Sequence, residues 1–178
     1  MAVGPLVVHV ARLRRSLGST LRLHERVPLD QEMLAPATIA DSRVPEGAEA
    51  ECTFVLESYL GGVMATGTVR APWTGVCRRC TAPVEGVLDI SLKERYCDPP
   101  SRGEPEDEEA YPIVEDAVDL APMAHEAILS ELPLAPLCRD DCLGLCSFCG
   151  NDRNTEPCRC VAPRDPRWAS LDVLRSIS

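Results

Sequence analysis

Six cysteines fall within 23 residues, Cys138 to Cys160, and a separate Cys77-Arg78-Arg79-Cys80 pair lies upstream, in a chain of 178 residues with ten cysteines in all. So dense a set has few structural uses. No segment reads as an export signal, since the apolar stretch Leu6 to Val10 has its arginines after it. A chain kept in the reducing cytosol holds its thiols free, and thiols at two-residue spacing chelate metal rather than form disulfides. Two thiolates in a Cys-x-x-Cys turn reach one tetrahedral ion, and two such pairs close a structural site. The Cys146-x-x-Cys149-Gly150 knuckle and Cys158-x-Cys160 supply four local ligands, the preferred first site. Cys77 and Cys80 then need two more, either Cys138 and Cys142 in a second site, or Cys146 and Cys149 in a single shared one. All-thiolate knuckles suit zinc, one or two ions in a structural role.

The remaining cysteines read differently. Cys52 falls on the apolar side of a strand as a small buried hydrophobe, and Cys97 ends a strand with no assigned role. A redox Cys-x-x-Cys requires a strand-to-helix setting, whereas Cys77 to Cys80 lies between two strand patterns. A catalytic zinc requires an open position and a general base, and His9, His24 and His125 are scattered along the chain. With no phosphate-cradling glycine loop and no nucleophile triad, the expectation is a protein that is not an enzyme and has no small-molecule substrate.

Charge is unevenly placed. The formal net charge is −10, and the span from Gly103 to Cys138 contains ten acids and neither Lys nor Arg, so the rest of the chain is formally neutral. Its first half, Pro99 to Asp116, is rich in Pro, Gly and carboxylates and reads as a solvated linker or an acidic arm. Arg12, Arg14, Arg15, Arg22 and Arg26 face only Glu25 in the first 28 residues, a local excess suited to phosphates. No apolar run approaches the roughly 20 residues that span a bilayer. A cytoplasmic protein without membrane contact follows.

The apolar pattern gives the fold class. Leu6 to Arg12 and Thr20 to Val27 read as short strands on either side of Gly18. From Ala50 the period of two is clear, with Ala50, Cys52, Phe54 and Leu56 on one face and Glu51, Thr53, Val55 and Glu57 on the other. Gly61-Gly62 supplies a turn; Val63 to Ala71 and Leu88 to Tyr96 continue the meander, with Leu88, Ile90 and Leu92 on one face. After the acidic span the period becomes helical: Asp119 caps a helix that buries Leu120, Met123, Ala127 and Ile128 and is limited by Pro133. Asp165-Pro166 opens a second helix carrying Trp168, Leu171 and Leu174. The predicted architecture is α+β: an antiparallel β-meander packed by one or two helices, with a C-terminal cysteine-rich zinc-knuckle module. Its divisions are a mainly β domain over 1–98, an acidic linker over 99–118, and the helix, cysteine module and C-terminal helix over 119–178.

The ordered set of motifs resembles the YceD family along most of the chain. It comprises Cys-x-Arg-Cys at Cys77 to Cys80, the acidic stretch Gly103 to Asp116, and a helix ending in Leu132-Pro133. Leu-Cys-x-x-Asp-Cys-x-Gly-Leu-Cys-x-x-Cys-Gly follows at Leu137 to Gly150, then Cys158-x-Cys160 and Asp165-Pro166-Arg167-Trp168. Two departures stand out: Ser147 where the family often has Pro, and Asn151-Asp152-Arg153-Asn154 where Asn-Leu-Asn usually follows the glycine. Neither removes a ligand. The resemblance implies a non-enzymatic bacterial factor required for accumulation of large-subunit (23S) ribosomal RNA, acting in its synthesis, processing or stability during ribosome assembly. Its partners would be the large-subunit RNA precursor, ribosomal proteins, or both. Arg78 and Arg79 on the first knuckle, with Arg12, Arg14 and Arg15, are the expected RNA contacts. The alternative is a zinc-stabilised protein-protein adapter that works through the acidic arm and never touches RNA.

Overall fold

The structure, a computed structural model, describes residues 4–29, 38–99, 110–161 and 167. Its centre is a set of long antiparallel strands, β5 (Glu49–Tyr59), β6 (Gly62–Val76) and β7 (Pro83–Cys97), with β2 (Thr20–Pro28) along the outer edge of β5. The alternation in β5 is as read: Ala50, Cys52, Phe54 and Leu56 are buried. Beside them in the same core, from β6 and β7, are Val63, Ala65, Val69, Ala71, Leu88 and Ile90. Leu60-Gly61 forms the two-residue turn between β5 and β6, and Gly61 takes φ +104°, which a glycine adopts without strain.

Two short strands, β3 (Thr38–Ile39) and β4 (Ser42–Arg43), continue the β6 ladder beyond the end of β5, and Ser42 Oγ donates to the Pro133 carbonyl at 2.6 Å. The first expected strand is shorter than read. Only β1 (Val7–His9) is extended, and a single 3-10 turn at Leu13–Arg15 follows, because Leu13 turns inward to the core. Leu21 lies exposed on β2, so the alternation there leaves only Val27 fully buried.

The acidic span does not lie wholly outside the sheet. Its last residues form β8 (Ala110–Pro112), parallel to β7, and β9 (Ala117–Asp119), antiparallel to β1. Residues 100–109 lie outside the described residues. Tyr96 of β7 and Tyr111 of β8 stack with ring centroids 5.3 Å apart; the Tyr96 hydroxyl donates to the Asp119 carbonyl at 2.9 Å and the Tyr111 hydroxyl to Glu126 at 2.5 Å. These contacts fasten the returning chain to the helix that follows.

That helix, α1 (Ala121–Glu131), packs on β6 and β7 through Met123, Ala124 and Ile128. Leu120 is buried just ahead of it, and Ala127 is half-buried. Asp119 accepts a hydrogen bond from the Ala121 N–H at 3.0 Å, which satisfies one of the orphan amides of the first turn. The expected C-terminal helix after Asp165-Pro166 lies outside the described residues. No helix among the described residues is long and apolar enough to cross a membrane.

Gly67 is where the sheet is tightest. A Cβ there would sit 2.1 Å from the Thr53 carbonyl oxygen and 2.5 Å from the ring of Phe54, itself fully buried. Backbone cannot yield as a flexible side chain can. Gly67→Ala should therefore destabilise the fold by about 1–3 kcal/mol, the usual cost of overpacking. Thermal unfolding checks this, with a midpoint lowered by roughly 2–4 °C per kcal/mol for a chain this long.

Candidate metal centres

The cysteines converge in two groups of four: Cys77, Cys80, Cys138 and Cys142, and Cys146, Cys149, Cys158 and Cys160, with the sulfurs of each group within 4.8 Å of one another. Cys77 and Cys142 Sγ are 3.8 Å apart, and Cys80 and Cys138 Sγ 3.6 Å. A tetrahedral ion with sulfur bonds of about 2.3 Å sets its ligands about 3.8 Å apart, so the spacing fits such an ion and far exceeds a disulfide. Both clusters are positioned to hold a metal ion. The single shared site drawing on Cys77, Cys80, Cys146 and Cys149 is excluded by this grouping.

The two knuckles are built alike. In the first, at the β6–β7 turn, Thr81 N–H donates to the Cys77 carbonyl at 2.8 Å and Cys77 N–H to the Ala82 carbonyl at 2.7 Å. In the second, Gly150 N–H donates to the Cys146 carbonyl at 2.9 Å and Cys146 N–H to the Asn151 carbonyl at 2.8 Å. In both, the residue after the second cysteine has a left-handed backbone, φ +60° at Thr81 and φ +76° at Gly150. Glycine takes that conformation freely, whereas β-branched Thr81 is strained in it.

Burial separates the clusters. Cys77, Cys80 and Cys142 are buried and form a small apolar core with Ala82, Val84 and Leu137. In the second cluster Cys146 is buried, Cys158 half-buried, and Cys149 and Cys160 exposed. Each cluster has one thiol disposed to ionise first. Burial raises the Cys77 pKa, but backbone N–H groups of Cys138, Cys80 and Arg79 directed at its sulfur outweigh this and bring it down to about 6. Backbone N–H groups of Cys149 and Phe148 bring Cys146 to about 6 as well. Cys138 is pushed up to about 12 by desolvation of its sulfur within the cluster and by its neighbouring thiols, and Cys160 to about 12 by Cys149 and by the same desolvation. The lowered pKa values leave a first thiolate ligand in each cluster above about pH 6, lost as the pH falls through that value. A bound cation then displaces the remaining protons.

A feature that sequence reasoning missed joins the two clusters. Asn154, in the loop between Cys149 and Cys158, donates from Nδ2 to Cys142 Sγ at 3.4 Å. Its Oδ1 accepts from the Leu143 N–H and from Arg139, each at 2.8 Å. Asp152 Oδ1 holds the Asn154 amide in turn, at 2.6 Å. The run Asn151 to Asn154 had stood out in the sequence only as a departure from the family pattern. Beside it, Arg153 N–H donates to the Gly144 carbonyl at 3.0 Å and Leu145 N–H to the Arg79 carbonyl at 2.9 Å. Gly144, φ +71°, admits this approach, since a Cβ there would lie 2.9 Å from the Arg79 carbonyl oxygen.

The five arginines expected to contact RNA are not equivalent. Arg12, Arg15 and Arg78 are exposed. Arg14 is half-buried between Asp98 and Asp116, the latter at 3.2 Å, and so ties the 3-10 turn to both flanks of the acidic span. Arg79 donates to the carbonyls of Cys142 at 2.9 Å and Asp140 at 3.2 Å, closing the knuckle against the first cluster's other arm. Of the other cysteines, Cys52 is buried as expected, which pushes its thiol up to about 11, and Cys97 lies 3.1 Å from the Tyr59 hydroxyl. Among the histidines, His24 Nδ1 pairs with Thr53 Oγ1 at 2.9 Å, and none belongs to either cluster.

With this geometry in place, comparison with known proteins decides the family. The model for the large ribosomal RNA subunit accumulation protein YceD matches residues 65–175, a span that includes all eight clustered cysteines. The chain belongs to the YceD family. Relatives cover the preceding residues too: the Mycobacterium tuberculosis H37Rv protein Rv2926c is 37% identical over 171 residues, 94% of this chain and 80% of its own length. The Mycobacterium bovis protein Mb2951c matches to the same extent, and the Mycobacterium leprae protein ML1660 is 32% identical over 175 residues, 97% of this chain and 79% of its own. Each is described as an uncharacterized protein. No solved structure matches. The family name points to large-subunit RNA accumulation, while the two sulfur clusters sit inside the part of the chain that carries the family match.

Metal analysis of the purified protein should find two equivalents per chain. Cys142→Ser should leave one and loosen the sheet end, whereas Cys149→Ser should leave the other with the main thermal transition intact. Asn154→Ala keeps every ligand but removes the hydrogen bond to Cys142 and the link to Arg139. It should weaken metal affinity at the first cluster by roughly 10- to 100-fold, as loss of a ligand's supporting partner does elsewhere, measured by competition with a chromophoric chelator.

Proposed function

We propose that this chain is a non-enzymatic, zinc-stabilised cytoplasmic factor that supports 23S ribosomal RNA accumulation during assembly of the large ribosomal subunit. The observation that carries this reading is the family match over residues 65–175, which spans most of β6, all of β7, α1 and both cysteine clusters. Zinc fits the all-thiolate donor set, because soft sulfur ligands and closed four-coordinate geometry favour it over harder cations. When bound, it supplies cross-linking of chain segments rather than chemistry. Its partners are the large-subunit RNA precursor, ribosomal proteins of the same particle, or both, with no membrane and no small-molecule substrate.

A protein adapter without RNA contact draws on a different observation. Arg14 and Arg79 are engaged by the protein's own oxygens, and the chain as a whole carries a net charge of −10. The two readings diverge in what co-purifies.

Depletion of the protein in its own cells should lower 23S relative to 16S RNA, and a tagged copy should sediment with large-subunit precursors in a sucrose gradient. An unchanged 23S to 16S ratio would sink the proposed role. A tag found with ribosomal proteins but resistant to nuclease and devoid of precursor RNA would favour the adapter.

A further inference from the structure

We infer that the second cysteine cluster is a rigid platform for an unpaired RNA strand, with Phe148 as its stacking residue and Arg78, Arg153 and Arg159 as its phosphate contacts. This rests on the proposed role in large-subunit RNA accumulation and names the surface that would perform it. Phe148 occupies the tip of the Cys146–Cys149 turn and is 52% exposed, although the chain has only two phenylalanines and buries the other, Phe54, completely. Its backbone is not loose: the Phe148 N–H points at the Cys146 sulfur, and the knuckle hydrogen bonds hold the backbone from which the ring projects.

The surroundings suit nucleobases. Leu143 and Leu145, 55% and 40% exposed, flank Gly144 on the segment leading into the same turn. That segment is held between two arginine-bearing stretches, through the Arg79 carbonyl on one side and the Arg153 N–H on the other. Arg78 adjoins Arg79 at the tip of the first knuckle. Arg159 lies between Cys158 and Cys160, whose sulfurs share the cluster with Cys149. All three arginines are exposed and make no ion pair among the described residues. An exposed ring on a hydrogen-bonded turn, with exposed leucines on the segment before it and exposed arginines on the stretches bonded to that segment, is the chemistry that splayed-out bases and their phosphates recognise. A duplex is disfavoured, because its bases are already stacked and offer the ring no free face. A basic protein segment would gain nothing from the three arginines.

The test uses the full metal-loaded chain and fluorescence anisotropy with a short labelled RNA of unpaired sequence, against the same strand annealed to its complement. The unpaired strand should bind in preference to the duplex. Phe148→Ala should weaken it about tenfold or more, the range seen when an aromatic that stacks one base is lost, while Phe148→Trp should restore binding. Metal content measured on each variant verifies the fold, and Leu60→Ala, which removes an even barer apolar side chain from the β5–β6 turn, should leave binding unchanged. The slope of log affinity against log salt should be about −2, from roughly −0.7 per contacted phosphate and three arginines. Equal binding by Phe148→Ala, equal binding of duplex, or no RNA binding by the parent chain would each overturn the inference. If cells carrying Phe148→Ala keep normal 23S RNA while depleted cells lose it, the platform fails and the family role stands; unchanged 23S RNA on depletion removes the role itself.

Discussion

The four-sulfur cluster of Cys77, Cys80, Cys138 and Cys142 takes two ligands from a β-hairpin tip and two from the chain beyond α1, across separations of 58 and 65 residues. Much of the rest depends on that junction. The core of the sheet is small in aromatic content, and the hairpin extends well past the end of β5, where only two-residue strands accompany it. An end so thinly covered has little apolar surface to bury. A metal ion there would fasten the hairpin tip to the segment after the helix, and binding energy of that kind is folding energy, on the order of 10 kcal/mol. Arg79 works in the same place from the protein side, binding two carbonyls of the opposite arm.

The two clusters are coupled. Asn154 reaches from its loop to the Cys142 sulfur, and the Leu143 to Cys146 segment runs directly from one set of ligands into the next. The order outward from the sheet is first cluster, then second cluster. Exposure follows the same order: the fully buried residues of the sheet give way to one mostly buried cluster and then to one largely open to solvent. The surface available to a partner increases along this series.

Local patterns in the sequence foretold local structure well. The period of two through Ala50, Cys52, Phe54 and Leu56 needs only alternation to be read, and burial of all four follows. Cysteine spacing likewise identified which thiols share a knuckle. Which knuckles meet is a different matter, set by the path of the whole chain, and spacing left two arrangements open where the structure has one. The same limit explains the arginines. Arg14 and Arg79 look like free cations beside their neighbours, yet their partners lie 84 and 102 residues away for Arg14, and 61 and 63 for Arg79. β8 was invisible for a related reason. Three residues carry no periodicity, and a parallel partner requires a long return connection that no local signal announces.

Charge would set the terms of the proposed contact with RNA. To its net −10, two ions each held by four thiolates would add about two further negative charges apiece. At long range this field repels phosphate rather than steering it, so a fast, salt-driven encounter with naked RNA is disfavoured. Within roughly a Debye length the balance is local: Arg78, Arg153 and Arg159 carry three positive charges against about two negative on a loaded second cluster, so the ring rather than net charge has to carry the contact. Contact of this kind is selective for strands held close by other means. Inside an assembling particle, basic proteins and counterions already screen the phosphates, and the remaining discrimination falls to whether a base is free to stack. A protein with an acidic body and a small rigid aromatic edge is suited to that setting and poorly suited to coating bulk RNA.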